Sequence, residues 1–308
     1  MCGLTGSIVT FQTDPAILRK AIRSFLDSSV ADNLLVIDNS PTKDLQKLVT
    51  ESGAEYMFSG FNMGFGRAHN IALRRFLDQS EYHLVLNPDV SFDPSVLNHL
   101  LEFMECNRAV GLVMPKVVYP DGSMQYLCKK LPRPFDLFAR RFLPAVLESH
   151  FRTRMHDFEC RHLDLNNSLS IPYLSGCFMF LRMKAVHQIG LFDEKIFMYL
   201  EDTDLTRRLH EVFETVYYPY VAVVHEHGRG SYKDWRPLVH HIKATLYYFS
   251  KWGWFSDEDA KRINELVDRQ TPGRFRKVEM PTSSSSFELT EAHQQSSSSL
   301  ASANGTFM

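Results

Sequence analysis

The chain lacks any uninterrupted apolar run of about 18 residues, the length a membrane-spanning helix needs. Its nearest stretches, IPYLSGCFMFL and VYYPYVAVV, stop at about half that length. The first residues, MCGLTGSIVTF, show neither the basic segment nor the long apolar segment of a signal peptide. Cys-x-x-Cys is absent: Cys2, Cys106, Cys128, Cys160 and Cys177 are odd in number and scattered, which excludes a disulfide framework and a zinc knuckle. Large net charge is absent too. Lys and Arg total 34 against 36 Asp and Glu, a formal charge of −2, so the broad basic footprint of a nucleic-acid-coating protein is excluded. Neither Gly-Lys-Ser/Thr nor the third glycine of a dinucleotide fingerprint occurs, which excludes a P-loop NTPase and a Rossmann dehydrogenase. These absences predict a cytoplasmic protein in a reducing compartment, with no nucleic-acid partner and only peripheral contact with any membrane.

What is there is a core: 44% of 308 residues are hydrophobic, ample for a large domain. From Ser7 to about Pro120, short apolar runs (SIVTF, LLVID, YMFSG, YHLVLN, VGLVMPKVV) alternate with helical patterns around Ile17–Phe25, Leu45–Val49, Ala68–Leu77 and Val96–Met104. Continuous Val/Ile/Leu strands separated by helical crossovers predict a mainly parallel α/β sheet flanked by helices, Rossmann-like in its winding. Between Lys129 and Arg154 the pattern breaks and seven cations (Lys129, Lys130, Arg133, Arg140, Arg141, Arg152, Arg154) face two anions, which reads either as a solvated helical insertion or as a basic docking patch. Strands return at IPYLSGCFMFLR and TVYYPYVAVVH. A helix over Trp235–Trp254 is predicted to place Leu238, Ile242, Leu246 and Phe249 on one side, and such a stripe can pack on its own domain or lie on a membrane surface. Beyond about Pro272 two runs of four serines and few large apolar residues predict a disordered tail.

Open α/β sheets bind ligands outside the carboxyl ends of their strands, so the polar residues there are the candidates. Asp38 ends LLVID, Asp89 follows LVLNP, and Glu201, Asp202 and Asp204 cluster in LEDTDLTRRL. Each alone reads equally well as a turn or N-cap residue. Asp89 on a rigid strand end suits a hard divalent cation, Mg²⁺ or Mn²⁺. Asn62-Met-Gly-Phe-Gly-Arg67 offers a turn leading into a helix, where Gly64, backbone N–H groups and Arg67 would cradle a phosphate. Within the acidic cluster, Asp202 can face a cleft while Asp204 pairs with Arg207 or Arg208 at helical spacing. Crowding and burial push carboxyl pKa values upward, which suits a general base. Twenty-three residues after Asp202, His225-Glu-His227 follows a strand, reading as a structural histidine or, beside a metal-binding Asp, as a ligand.

Taken in order, LLVIDNS, NMGFGRAHN, LNPDV, YLSGCFMFLR, GLFDEKIFMYLEDTDLTRRL and VVHEHGRGS resemble the family 2 inverting glycosyltransferases of GT-A fold. Within these they are most similar to bacterial rhamnosyltransferases of O-antigen and cell-wall polysaccharide assembly. The resemblance covers roughly residues 5 to 255 and implies a division of 1–272 into a nucleotide-binding half (about 1–125), an acceptor and catalytic half (126–235) carrying the basic insertion 128–167, and C-terminal helices (236–272), ahead of the tail 273–308. It implies that Thr10, Phe11 and Asp38 hold the base and ribose, with Arg67 and Arg229 toward the diphosphate and Asn62, Gly64 and Asn87 also in the nucleotide site. Asp89 takes the place of the last Asp of the family's Asp-x-Asp motif, whose first Asp is here Asn87. His225 supplies a second metal ligand, and Asp202, next to Glu201, is the base. The implied donor is dTDP-L-rhamnose and the implied acceptor a polyprenyl-diphosphate-linked saccharide. A UDP-sugar or galactofuranose nucleotide donor, or a non-catalytic sugar-nucleotide binder, are the alternatives.

Overall fold

The computed structural model describes residues 3–137, 145–226, 236–271, 273–276 and 278. Arg140, Arg141, His227, Arg229, Trp235 and nearly all of the serine-rich segment lie outside the described residues.

The expected alternation is present. Strands β1 (Leu4–Thr10), β2 (Ala31–Asp38), β3 (Glu55–Phe58) and β4 (Tyr82–Leu86) are joined by helices Pro15–Leu26, Gln46–Glu51 and Phe65–Phe76. The first helix starts because Pro15 sets its φ and the Asp14 carboxylate accepts from Ala16 N and Ile17 N. After β5 (Val90–Ser91) and helix Ser95–Cys106 come β6 (Val110–Val118), β7 (Cys128–Lys129), helix Ala145–Phe158, β8 (Leu169–Ser170), β9 (Tyr173–Leu174) and β10 (Phe178–Arg182). Helices Met183–Ile189 and Glu201–His210, β11 (Glu214–His225) and helices Arg236–Trp252 and Glu258–Arg269 complete the chain. The last helix falls within the C-terminal helices expected over 236–272, whereas most of the two-residue strands are too short for any periodicity to mark.

The main sheet runs β3-β2-β1-β4-β10-β6-β11-β5, with β8 also on β11. β1, β2, β3 and β4 are mutually parallel, and β6 is parallel to β11. β10 pairs antiparallel with both β4 and β6, so six long strands point one way with one reversed strand among them. Their carboxyl ends, at Thr10, Asp38, Leu86, Val118 and His225, therefore share one edge.

A buried polar chain crosses the core under β1. The Thr5 hydroxyl bonds His83 Nδ1 (2.8 Å), and the Ser7 hydroxyl bonds both His83 Nε2 and His69 Nδ1 (2.8 Å each). Both rings are fully buried. Burial holds His83 down to about 3 and His69 well below the ordinary value, so both stay neutral through the physiological range.

The helix Arg236–Trp252 packs on its own domain. Ala244, Tyr248 and Phe249 join Leu137, Ile196 and Leu200 in one cluster, with Trp252 and Trp254 against it. The predicted stripe is rotated, however: Leu246 is 47% exposed, because the large aromatic residues at 248, 249 and 252 claim the buried side.

A neutral buried histidine makes folding sensitive to acid. The unfolded chain takes up a proton on His83 near pH 6.5 and the folded chain only near 3, so this stability is complete above about pH 6.5 and is lost as pH falls, at about 1.4 kcal/mol per pH unit. His83→Gln is expected to be less stable at pH 7.5 yet to lose about 2 kcal/mol less between pH 6.5 and 5, as measured by urea unfolding at each pH.

Candidate active site

At the shared edge, β4 ends in Asn87-Pro88-Asp89. Val90 of β5 pairs with His225, and Ser91 with Val224, antiparallel, and Glu226 N donates to the Asp89 carbonyl at 2.9 Å. This short ladder brings His225 Nε2 to 3.4 Å from Asp89 Oδ1. Two residues separated by 136 positions thus become one donor set. An imidazole nitrogen and a carboxylate oxygen side by side are donor types that Mn²⁺ or Mg²⁺ accepts.

From the other side, Asn87 N donates to the Cys177 carbonyl (2.9 Å), and Gly176 N donates to Asp202 Oδ2 (2.9 Å). The Cys177 thiol is pushed up to about 12, mainly by burial, with Asp89 and Asp202 both adding to the shift. The Ser175-Gly-Cys turn therefore lies between the metal-type pair and the carboxylate expected to act as base.

Asp202 sits in the first turn of Glu201–His210. The two residues before that helix, Tyr199 (φ 69°) and Leu200 (φ 66°), both adopt left-handed backbone, costing of order 1–3 kcal/mol each. The strain turns the chain sharply so that the helix begins at the edge of the sheet. Burial raises the pKa of Asp202, while the Gly176 and Thr203 hydrogen bonds and the charge of Lys129 pull it back. Glu201 is 6% exposed, and burial followed by repulsion from Asp202 holds it well above the usual range. Its Oε2 has no hydrogen-bond partner. Burial thus disfavours the charged form of both carboxyls, while the contacts that oppose this act on Asp202.

Asp204 is fully buried and pairs at i,i+4 with Arg208 (2.9 Å), with Lys251 (2.7 Å) and with the Trp252 indole N–H (2.9 Å). The helical-spacing pair expected of Asp204 is present, with Arg208. Arg207, though, pairs bidentately with Asp257 and lies 3.9 Å over the Trp252 ring.

Asp38 is fully buried. It accepts from the Thr10 hydroxyl (3.0 Å), Ser40 N (2.9 Å) and the Tyr56 hydroxyl (2.8 Å). Phe11, at the end of β1, is 51% exposed and Phe61 is 55% exposed, two aromatic surfaces on the same edge.

The expected phosphate cradle is largely consumed by the protein. Gly64 N donates to Asn62 Oδ1, and Phe65 N, the first donor of its helix, donates to the Phe197 carbonyl at 3.1 Å. Gly64 has φ 87°, and a Cβ there would lie 2.2 Å from that carbonyl oxygen, so the glycine serves a backbone contact. Arg67 is half exposed, 3.8 Å from Glu194.

The basic insertion also differs from its reading as a solvated or docking patch. Lys129 is 5% exposed beneath the Tyr173 ring, and Lys130 is 6% exposed between Asp157 (2.6 Å) and Asp268 (2.8 Å). Arg154 pairs with Asp136 and stacks on Phe135. Asp268 of the helix Glu258–Arg269 thus helps to neutralise Lys130, a cation that looks unpaired in sequence. Among the described residues, the one group of three potential ligands close together is Asp157, His162 and Asp268, and the Lys130 ammonium already supplies its cation.

Residues 7–190 match the family model for glycosyl transferase family 2. The chain belongs to this family. It is 26% identical over 258 residues, 79% of this chain and 82% of the relative, to the N-acetylglucosaminyl-diphospho-decaprenol L-rhamnosyltransferase of Mycobacterium tuberculosis. It is 23% identical over 80% of this chain and 94% of the relative to the rhamnosyltransferase WbbL of Escherichia coli. Among solved structures, a Pyrobaculum calidifontis mannosyltransferase in complex with GDP-Man and Mn²⁺ superposes with TM-score 0.53 at 13% identity, covering 86% of this chain and 73% of the other. GalNAc-T7 with UDP, GalNAc and Mn²⁺ superposes with TM-score 0.55 at 12% identity, covering 87% and 53%. The fold is GT-A, and the protein is a glycosyltransferase.

Sequence reasoning missed Gly176, Tyr56, Lys129 and Gln125. Ser-Gly-Cys before a strand was a visible signal for the first. A Cβ on Gly176 would lie 3.1 Å from Asp202 Cβ and 3.3 Å from Phe65. Gly176→Ala is therefore expected to shift the base and reduce kcat by about ten- to a hundredfold. Asp202→Asn, which keeps the position and loses the proton acceptor, should cost about 10²- to 10⁴-fold. Nucleotide affinity should change little in either variant, as checked by steady-state kinetics with calorimetric titration of the nucleotide.

Proposed function

We propose that this glycosyltransferase moves L-rhamnose from dTDP-L-rhamnose to a hydroxyl of a polyprenyl-diphosphate-linked saccharide, with inversion. The observation that carries the reading is the convergence of Asp202, Gly176, Cys177, Asn87, Asp89 and His225 on one sheet edge. The names of the two rhamnosyltransferase relatives support the sugar. A diphosphate-lipid acceptor is supported by the mycobacterial relative's name.

Phe11 offers its exposed ring to the base, and Asp38, held by Thr10 and Tyr56, binds the nucleoside. Asp89 and His225 would hold Mg²⁺ or Mn²⁺, which supplies positive charge against the leaving diphosphate. Asp202 accepts the proton of the acceptor hydroxyl at its carboxylate. The hydroxyl oxygen then attacks the anomeric carbon from the face opposite the departing nucleotide, which gives inversion. The Gly176 N–H holds Asp202 in place, and that bond together with the Lys129 charge opposes the rise in its pKa that burial causes.

Melting temperature tests donor base and metal together, since a ligand that binds only the folded state stabilises it by RT ln(1 + [L]/Kd). dTDP with Mn²⁺ is expected to raise Tm more than UDP or GDP with Mn²⁺, and each shift should shrink without the metal. A larger shift with UDP would replace the donor, and equal shifts with and without Mn²⁺ would remove the metal.

Among the described residues no helix is long and apolar enough to cross a membrane, so the lipid-linked acceptor is reached at the membrane face. Of the seven insertion cations, Arg152 is exposed, whereas Lys129 and Lys130 are not. Vesicles containing anionic lipid are expected to carry the protein upward on flotation, and Arg140→Ala with Arg141→Ala should reduce this. Each basic residue near such a surface contributes about 1 kcal/mol. Equal flotation of both proteins would remove these two arginines from membrane contact.

A further inference from the structure

We propose that Gln125 is a positioning residue that fixes the tautomer of His225 and thereby aims the Nε2 lone pair toward a divalent cation. The inference rests on the reading of Asp89 and His225 as metal ligands and adds to it a residue outside every motif of the family resemblance.

Gln125 lies beyond β6, after the Tyr119–Ser123 turn, and is 5% exposed. Its own N–H donates to the Val117 carbonyl at 2.9 Å. Its side chain is oriented by what surrounds it. One end faces two backbone carbonyl oxygens, those of His225 (2.8 Å) and Val118 (3.4 Å), which can only accept. That end must be the NH₂ group. The reverse assignment would set an oxygen against two oxygens in a buried site, a lost hydrogen bond with no water to replace it.

The other end is therefore Oε1, and it lies 3.0 Å from His225 Nδ1. A carboxamide oxygen carries no proton, so the proton of that contact belongs to Nδ1. A neutral imidazole has one N–H and one lone pair, which leaves the lone pair on Nε2, the nitrogen 3.4 Å from Asp89 Oδ1. With the opposite tautomer the ring would offer an N–H toward the metal side and could not act as a ligand there. Partners of this kind commonly set ring orientation and basicity in metal sites, and removing one weakens metal affinity by about 10- to 100-fold.

The geometry also explains why the loop after β6 returns to β11. Gln125 binds both the ring and the backbone carbonyl of the same residue, so His225 is held at two points and cannot rotate about χ1 without breaking a buried contact.

The test begins with the full-length wild-type protein, labelled with ¹⁵N-histidine and observed at pH 8.5, where an ordinary imidazole of pKa about 6.5 is neutral. The His225 signals are assigned by their loss in His225→Ala. Expected is the Nδ1–H tautomer in the wild type and a shift toward Nε2–H in Gln125→Leu. Mn²⁺ is then titrated onto wild type, His225→Ala and Gln125→Leu, with free Mn²⁺ read by electron paramagnetic resonance. Binding should weaken about 10- to 100-fold in Gln125→Leu and at least as much in His225→Ala. An Nε2–H tautomer in the wild type overturns the proposal without need of any variant. So does wild-type Mn²⁺ affinity in Gln125→Leu when His225→Ala has lost it. If His225→Ala binds Mn²⁺ as the wild type does, the metal reading fails and the role of Gln125 falls with it.

Discussion

The reversed strand β10 is the constraint on which the catalytic edge depends. Were it parallel to β4 and β6, its amino end would lie at the opposite edge of the sheet. Running antiparallel, it starts where they finish, so Ser175, Gly176 and Cys177 arrive beside Asn87 at the carboxyl edge. One backbone N–H then holds the carboxylate of Asp202, and one backbone carbonyl accepts from Asn87 N. Both groups lie in the turn immediately before β10, whose own residues are held in the sheet by β4 on one side and β6 on the other, so the turn is anchored at the sheet edge. Catalysis that relies on positioning needs tethers of that kind.

Around this edge the charges are arranged in layers. Glu201 and Asp202 are desolvated, which favours keeping a proton between them, and Lys129 and two N–H groups oppose that tendency at Asp202. Two residues further along the helix, Asp204 is fully buried but surrounded by Arg208, Lys251 and Trp252. The first pair is the one proposed to handle the acceptor's proton. The second carboxylate is tied by hydrogen bonds and ties the helix Arg236–Trp252 to the catalytic helix. Arg207, clamped by Asp257 and stacked on Trp252, extends the same brace to the helix Glu258–Arg269. The C-terminal helices thus support the catalytic helix from behind rather than lie apart as an amphipathic surface.

The places where sequence reasoning fell short share one cause: the partner of a residue is remote in the chain. The Lys129–Arg154 segment reads as an excess of five positive charges, yet Lys130 is neutralised in part by Asp268, 138 positions away. The stripe on Arg236–Trp252 reads as four aliphatic and aromatic positions, but the neighbouring cluster at Leu137, Ile196 and Leu200 selects Tyr248 and Phe249 and leaves Leu246 outside. At Asn62–Arg67 a glycine-rich turn before a helix has the form of an anion site, and the Phe197 carbonyl takes the leading N–H instead. A local pattern states what a segment can bind; it does not state what reaches it first. Gln125 shows the converse, since nothing in Ser-Met-Gln-Tyr marks a residue whose amide spans His225 from ring to backbone.

By itself the sequence determined the alternating α/β architecture, because periodicity and turn chemistry act within a few residues and survive in any compact fold. It also determined the polar candidates, because Asp38, Asp89, Asp202 and His225 stand at strand and helix ends that those same short-range signals locate. Only the tertiary structure decided which of them meet. The β5–β11 pairing sets His225 against Asp89, the reversal of β10 delivers Gly176 to Asp202, and the closure of the last helix onto the insertion hides cations that the sequence leaves exposed. Those outcomes depend on strand order and direction. Strand order is chosen by burial of the whole core, which no short segment of the chain encodes alone.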